Sequence, residues 1–173
     1  MPLKVMPSAL EAEASLLGTM MIYPRSARIA MEEGLSEDDF YAEANKRIFK
    51  AIDSLYQEGA AIDITTTSTR LKDLGTLESV GGFSYLTRLT DAAVTSANTK
   101  NYVTMVHDKA IMRNMIETAE RIAEEGYAGQ TDINEYLDQA EKSILNISHN
   151  RKTNDFAASP EIFNNVLVKI QQM

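Results

Sequence analysis

The stretch NTKNYVTMVHDKAIMRNMIETAERIAEEGYAGQTDINEYLDQAEKSILNISH, residues 98–149, decides the fold. From Asn98 to Glu125 the apolar residues Tyr102, Val103, Met105, Val106, Ala110, Ile111, Met112, Met115, Ile116, Ala119, Ile122 and Ala123 recur at helical spacing. They cover more than one stripe, which predicts a long helix buried on two sides. Gly126 reads as the left-handed residue that stops it, and Thr131 as a hydroxyl N-cap for a second helix. In that second helix Ile133, Leu137, Ala140, Ile144 and Ile147 step four, three, four, three, the seam of two left-handed supercoiled helices. A hairpin sealing only its own two helices would satisfy this seam. Tyr136 and Leu145 widen the apolar surface, however, and the first helix is apolar beyond one seam. Surplus apolar surface calls for a further partner, either the rest of the chain or another copy of it.

Composition narrows the functional classes. With 173 residues, 44% hydrophobic and 24% charged, the chain suits one medium domain or a small domain with an appendage. It has no cysteine, so disulfides and thiolate metal sites are excluded, which fits a reducing cytoplasm. No apolar run approaches the roughly 20 residues of a membrane span, and the opening MPLKVMPS has no signal-peptide pattern. The net charge of -8 argues against tight autonomous DNA binding, because phosphate contacts need a basic surface.

Upstream of residue 98 the punctuation is helical throughout. Ser8 and Glu11 read as a capping box opening a helix to about Met21, with Leu10, Ala14, Leu17 and Met21 on one face. Pro24 starts a short helix that Gly34 ends, and Ser36–Asp39 reads as a capped turn into Phe40 and Tyr41. The stripe Ile48, Phe49, Ile52, Leu55 and Tyr56 predicts a helix from Glu43 to Glu58, closed by Gly59. Asp63 should cap a helix from Ile64 to Leu74 that stops at Gly75, although three threonines at 65–67 are mediocre helix formers. Gly81 and Gly82 turn into a helix carrying Tyr85, Leu86 and Leu89. Residues 149–159 are polar and read as a linker. Ser159, Pro160 and Glu161 then start a helix with Ile162, Phe163, Val166, Leu167 and Ile170 on one face. The fold class is therefore all-α: a globular helical body over 1–95, a hairpin over 96–148, a linker over 149–159 and a linker helix over 160–173. Because so short a helix is marginal alone, the sequence reads as truncated within it.

Chemistry is sparse. No glycine is followed by lysine, so GxxxxGK[ST] is absent and with it the cradle for a nucleoside triphosphate. The two histidines, His107 and His149, fall on separate helices and give no metal-ligand spacing. The pairs Asp38-Asp39 and Glu124-Glu125 sit in helix-end contexts, and no serine or threonine has a His/Asp arrangement. The chain by itself reads as neither an enzyme nor a metal or cofactor binder.

Four segments in order, SALEAEASLLGTMM, DDFY with NKRIFKAIDSLYQEGAAIDITT, LESVGGFSYLTRL and NYVTMVHDKAIMRNMIETAERIAEEGY, resemble the N-terminal domain of bacterial DnaB-type replicative DNA helicases. The resemblance covers about residues 8–148. Residues 65–67 and 92–93 are looser than the family pattern. The resemblance implies a collar: hairpins pair between subunits, and a trimer of such dimers forms a hexameric ring. The linker helix then reaches a neighbour's RecA-like ATPase domain. ATP and Mg would belong to that absent domain. Implied partners are a second copy, primase, a helicase loader and, weakly through the ring channel, single-stranded DNA.

The expected self-association set is Met112, Met115, Ala119, Ile133, Leu137, Ala140, Ile144 and Ile147. Tyr85, Ile116 and Ile122 are expected to contact primase or another partner, or to steer a switch between collar shapes, with burial in the core as the competing reading of each. Ile162, Phe163, Val166, Leu167 and Ile170 are the expected linker-helix docking residues. The alternative function is a stand-alone phage or plasmid adaptor that binds helicase or primase.

Overall fold

Glycine, proline and capping carboxylates cut the first hundred residues into short amphipathic helices, and the architecture follows those cuts. The computed structural model describes residues 4–129 and 132–156, with side chains to residue 150. Among the described residues there are seven α-helices and no strand: α1 Leu10–Ile22, α2 Pro24–Glu32, α3 Glu43–Gln57, α4 Ile64–Asp73, α5 Gly82–Asp91, α6 Thr99–Ala128 and α7 Ile133–Phe156. Single 3-10 turns cover Glu37–Asp39 and Ser96–Asn98. The chain divides into two compact units, Met1–Arg113 and Asn114–Met173.

In the first unit α1 is the central helix, packed by α2, α3, α4 and α5. It is buried almost all round from Leu16 to Met21, whereas Leu10 is exposed. The single face Leu10–Ala14–Leu17–Met21 is therefore replaced by burial on every side, because helices cover α1 from several directions. Gly18 explains the closeness of one crossing: a Cβ there would run into the backbone carbonyl of Leu89 on α5. Around α1 the core gathers Phe40, Ile48, Phe49, Ile52, Leu71, Leu86, Leu89, Val103 and Val106, with the Phe40 and Phe49 rings 5.0 Å apart.

Several expected caps are present. Pro24 is in the first turn of α2, and Asp63 Oδ1 accepts the Thr66 N–H at 2.8 Å at the start of α4. Asp39 Oδ2 accepts the Ser36 N–H at 2.8 Å. The expected cap from Ser8 is not: Ala9 is the N-cap of α1, with no side-chain cap. Glu11 thus reaches no capping role.

The first compact unit runs on to Arg113, and the first turns of α6 bury Val103, Val106 and Ala110. In the second unit α6 runs through Gly126 to Ala128, and the left-handed residue is Gly129 (φ 62°). Gly126 is glycine for room: a Cβ there would lie 2.7 Å from Tyr136 Oη. Thr131 lies outside the described residues, and Asp132 caps α7, its Oδ1 accepting the Asn134 N–H at 3.0 Å. The helix α7 continues to Phe156, so the first residues of the expected 149–159 linker are helical. Ile162, Phe163, Val166, Leu167 and Ile170 lie outside the described residues.

Candidate functional site

Two constructions stand out, one in each unit. In the body, the segment 36–42 between α2 and α3 is held by three side chains from distant helices. Glu13, at 1% exposure, is a buried carboxylate whose oxygens accept the Tyr41 N–H at 2.6 Å, the Asn45 Nδ2–H at 2.8 Å and the Ala42 N–H at 3.4 Å. It thereby supplies, from α1, the anionic N-terminal cap that α3 lacks in its own sequence. Asn45 Oδ1 in turn accepts the Tyr85 hydroxyl at 2.8 Å, and burial pushes the Tyr85 phenol upward so that it stays a donor.

From α6, His107 Nδ1 lies 3.1 Å from Asp39 Oδ1, and Asp39 holds the imidazole above its ordinary value. Six residues on, buried Arg113 donates to the Pro7 carbonyl at 2.8 Å and the Asp39 carbonyl at 2.7 Å. Its guanidinium also stacks 5.6 Å from the Tyr41 ring centroid. These bonds tie the segment to α1, α5 and α6 and make it a brace.

In the hairpin, α7 turns Tyr136, Ala140, Ser143 and Ile147 inward, all half-buried and spaced four, three, four. Tyr136 Oη donates to the Ile122 carbonyl at 2.6 Å, and Arg121 Nη2 reaches Ser143 Oγ at 3.2 Å. Beside that inward seam Ile133, Leu137 and Ile144 stand 62%, 57% and 44% exposed. At about 100° per residue these three lie within roughly 40° of one another and are rotated from the inward set. On α6, Met115 (37% exposed) and Ala119 are rotated in the same sense from Ile122. Since the two helices run antiparallel, equal rotation puts both stripes on one face of the hairpin.

The expected self-association set is thus divided. Ile133, Leu137, Ile144, Met115 and Ala119 are outward, while Ala140 and Ile147 belong largely to the hairpin's own seam. Met112 is exposed on the part of α6 that belongs to the first unit. The three expected partner contacts are divided between the two units. Tyr85 is half-buried in the body with its tip committed to Asn45, whereas Ile116 and Ile122 are half-buried in the second unit. Glu13 and Arg113 were not legible as functional, since their partners lie 28 to 32 and 74 to 106 residues away in sequence.

A cleft of about 170 Å³ at the hairpin tip is lined by Glu125, Gly126, Gly129, Ile133 and Tyr136, and a second, of about 320 Å³, lies along the hairpin beside Arg121, Gln139, Lys142 and Ser143. Among the described residues no group of three or more His, Cys, Asp or Glu could hold a metal ion, and no helix is long and apolar enough to cross a membrane.

Residues 5–108 match the family model described as the DnaB-like helicase N-terminal domain. The replicative DNA helicase DnaC of Bacillus subtilis is 32% identical over 167 residues, covering 96% of this chain and 37% of that protein. The replicative DNA helicase DnaB of Geobacillus stearothermophilus is 34% identical over 153 residues, covering 88% of this chain and 34% of its own length. The chain therefore spans about a third of the curated relatives it matches. Among solved structures, the N-terminal domain of DnaB helicase from Mycobacterium tuberculosis aligns with TM-score 0.77 and 33% identity, over 82% of this chain and 99% of that one. A DnaB-like replicative helicase, solved with attention to its interactions with primase, shares the fold at TM-score 0.68 and 21% identity, over 95% of this chain and 35% of that one. With the family model matching more than half of its residues, the chain belongs to the DnaB-like helicase N-terminal domain family.

Proposed function

We propose that this domain is the assembly and docking part of a hexameric, ATP-driven replicative DNA helicase that works in the cytoplasm. Its hairpin pairs with the hairpin of a second copy, and pairs build a trimer of dimers. The observation that carries this reading is the outward stripe Ile133–Leu137–Ile144 beside Met115 and Ala119, apolar and at seam spacing. Fully burying an exposed Ile, Leu or Met is worth roughly 1.5–3 kcal/mol, and these side chains, partly covered already, each add a share of that to the pairing.

ATP and Mg belong, on this reading, to a motor domain outside this chain. The residues present do not fit a nucleotide: no GxxxxGK[ST] occurs and no described cluster would hold the metal. The chain's share of the work is assembly and recruitment, with primase as the recruited partner and a loader as a second. The acidic charge suits a collar that guides a strand without gripping it.

Replacing Leu137→Asp together with Ile144→Asp should abolish self-association in light scattering and leave the helical circular dichroism intact, because both side chains are already exposed. An unchanged oligomer would remove the pairing. For recruitment, Ile116→Glu should weaken stimulation of primase while the fold persists; if the variant unfolds, Ile116 is a core residue and the contact is lost from the account.

A further inference from the structure

Sulfur enters this chain only as methionine, because it has no cysteine. Among the described methionines, Met20 and Met21 are buried in the body and Met6 and Met31 are half-buried. The exposed ones, Met105, Met112 and Met115, all lie on α6. Of these only Met115 belongs to the second unit, where it stands on the outward face of the hairpin with Ile133, Leu137 and Ile144. Its companion there, Ala119 one turn along α6, offers a single methyl, so the Met115 thioether is most of the apolar bulk that α6 gives to that face. A thioether has no proton to lose, and its reactivity toward peroxide follows access to the sulfur.

We propose that Met115 is an oxidative modification site, and that its conversion to the sulfoxide by a hydroperoxide blocks pairing of this hairpin with a second copy. The proposal rests on the self-pairing reading above and adds a chemical means of regulating it. With hydrogen peroxide, the sulfur lone pair attacks one oxygen and the S–O bond forms as the O–O bond breaks. The proton on the transferred oxygen passes to the departing hydroxide, so water leaves and the sulfur is oxidised by two electrons. The sulfoxide keeps the length of the side chain but carries a polar acceptor oxygen. Covered by the apolar stripe of a second copy, that oxygen has no donor, and a two-fold interface repeats the penalty in both copies. Two thiols acting through a methionine sulfoxide reductase take the oxygen off as water and leave as a disulfide, so the block is reversible. Pairing and oxidation compete, because a paired copy covers the sulfur that an unpaired copy presents.

Hydrogen peroxide on the whole chain tests it. Peptide mass spectrometry locates each sulfoxide, and sedimentation equilibrium after the peroxide is removed reads association, each protein against its own untreated form. In dilute protein Met115 should oxidise well ahead of the buried Met20 and Met21, and in concentrated, associated protein it should be protected. The oxidised parent should associate roughly tenfold or more weakly. Met115→Leu should keep its association through the treatment, whereas Met105→Leu/Met112→Leu should lose it as the parent does. The proposal is overturned, with self-pairing kept, if Met115 oxidises no faster than Met20, if it reacts equally in dilute and associated protein, or if its sulfoxide leaves association unchanged. Loss of association in Met115→Leu equal to the parent's also overturns it. An untreated parent that stays monomeric at every concentration overturns the self-pairing reading, and this proposal with it.

Discussion

At the scale of single residues, the body is held by a few side chains whose replacement has a specific consequence. Gly18 lets α1 approach α5 until only a hydrogen fits against the Leu89 carbonyl. Gly18→Ala should cost about 3 kcal/mol or more, since the obstacle is backbone that has nowhere to go, and denaturant unfolding measures it. His107 shows a signed dependence on pH. Asp39 raises its value in the folded state, so the pair's contribution is fully present below the unfolded value of about 6.5 and is lost as pH rises through the folded one. The stability gap between the parent and His107→Gln should therefore be larger at about pH 5.5 than at about pH 8.5, as read by thermal unfolding at both. A gap that widens with pH would contradict the pairing. These braces were the least legible part of the chain. Glu13 reads in sequence as an ordinary acid in the first turn of its own helix, and Arg113 as a cation on a long helical face. Their roles arise only when segments 28 to 106 residues apart are brought together.

At the scale of elements, the helices were legible because their ends are marked locally. Pro24, Asp63 and the Gly81–Gly82 pair each act within their own turn, and α2, α4 and α5 begin where those marks fall. The failures have a common physical cause. Gly126 reads in sequence as a residue of backbone freedom, but its function is steric and depends on Tyr136, ten residues further on and on another helix. The spacing of Leu10, Ala14, Leu17 and Met21 predicts one amphipathic face, but α2, α3, α4 and α5 cover α1 from Leu16 to Met21 on every side. Polarity after His149 predicts a linker, while α7 keeps its backbone ladder to Phe156. The Tyr136–Ile122 bond gives a prediction at this scale. Tyr136→Phe should cost about 1 kcal/mol, because the Ile122 carbonyl keeps its helical partner and only the added bond is lost. Hydrogen exchange should speed up along residues 118–147 and stay unchanged in α1–α5; faster exchange throughout would mean that the bond supports more than the hairpin.

At the scale of the whole molecule, the division of labour is between a braced body and a hairpin that keeps apolar surface outside. The body ties Glu13, Asn45, Tyr85, Asp39 and Arg113 to one another, although Thr67 Oγ1 is buried without a partner among the described residues and Leu74 and Phe83 stand exposed. The hairpin does not close: its inward seam of Tyr136, Ala140, Ser143 and Ile147 leaves Ile133, Leu137 and Ile144 beside it in water. Seam spacing alone placed all five of Ile133, Leu137, Ala140, Ile144 and Ile147 on one surface. The fold separates them into two adjoining stripes, because Tyr136 and Ser143 also belong to the contact with α6. The resulting account is of a domain that meets copies of itself through the hairpin and recruits through the same region. The most direct measurement is sedimentation equilibrium of the parent and of Leu137→Asp/Ile144→Asp side by side at 0.5 M salt. The account predicts concentration-dependent mass above the monomer for the parent and a folded monomer for the variant. A parent that remains monomeric at every concentration, or a variant that associates as well as its parent, would contradict it.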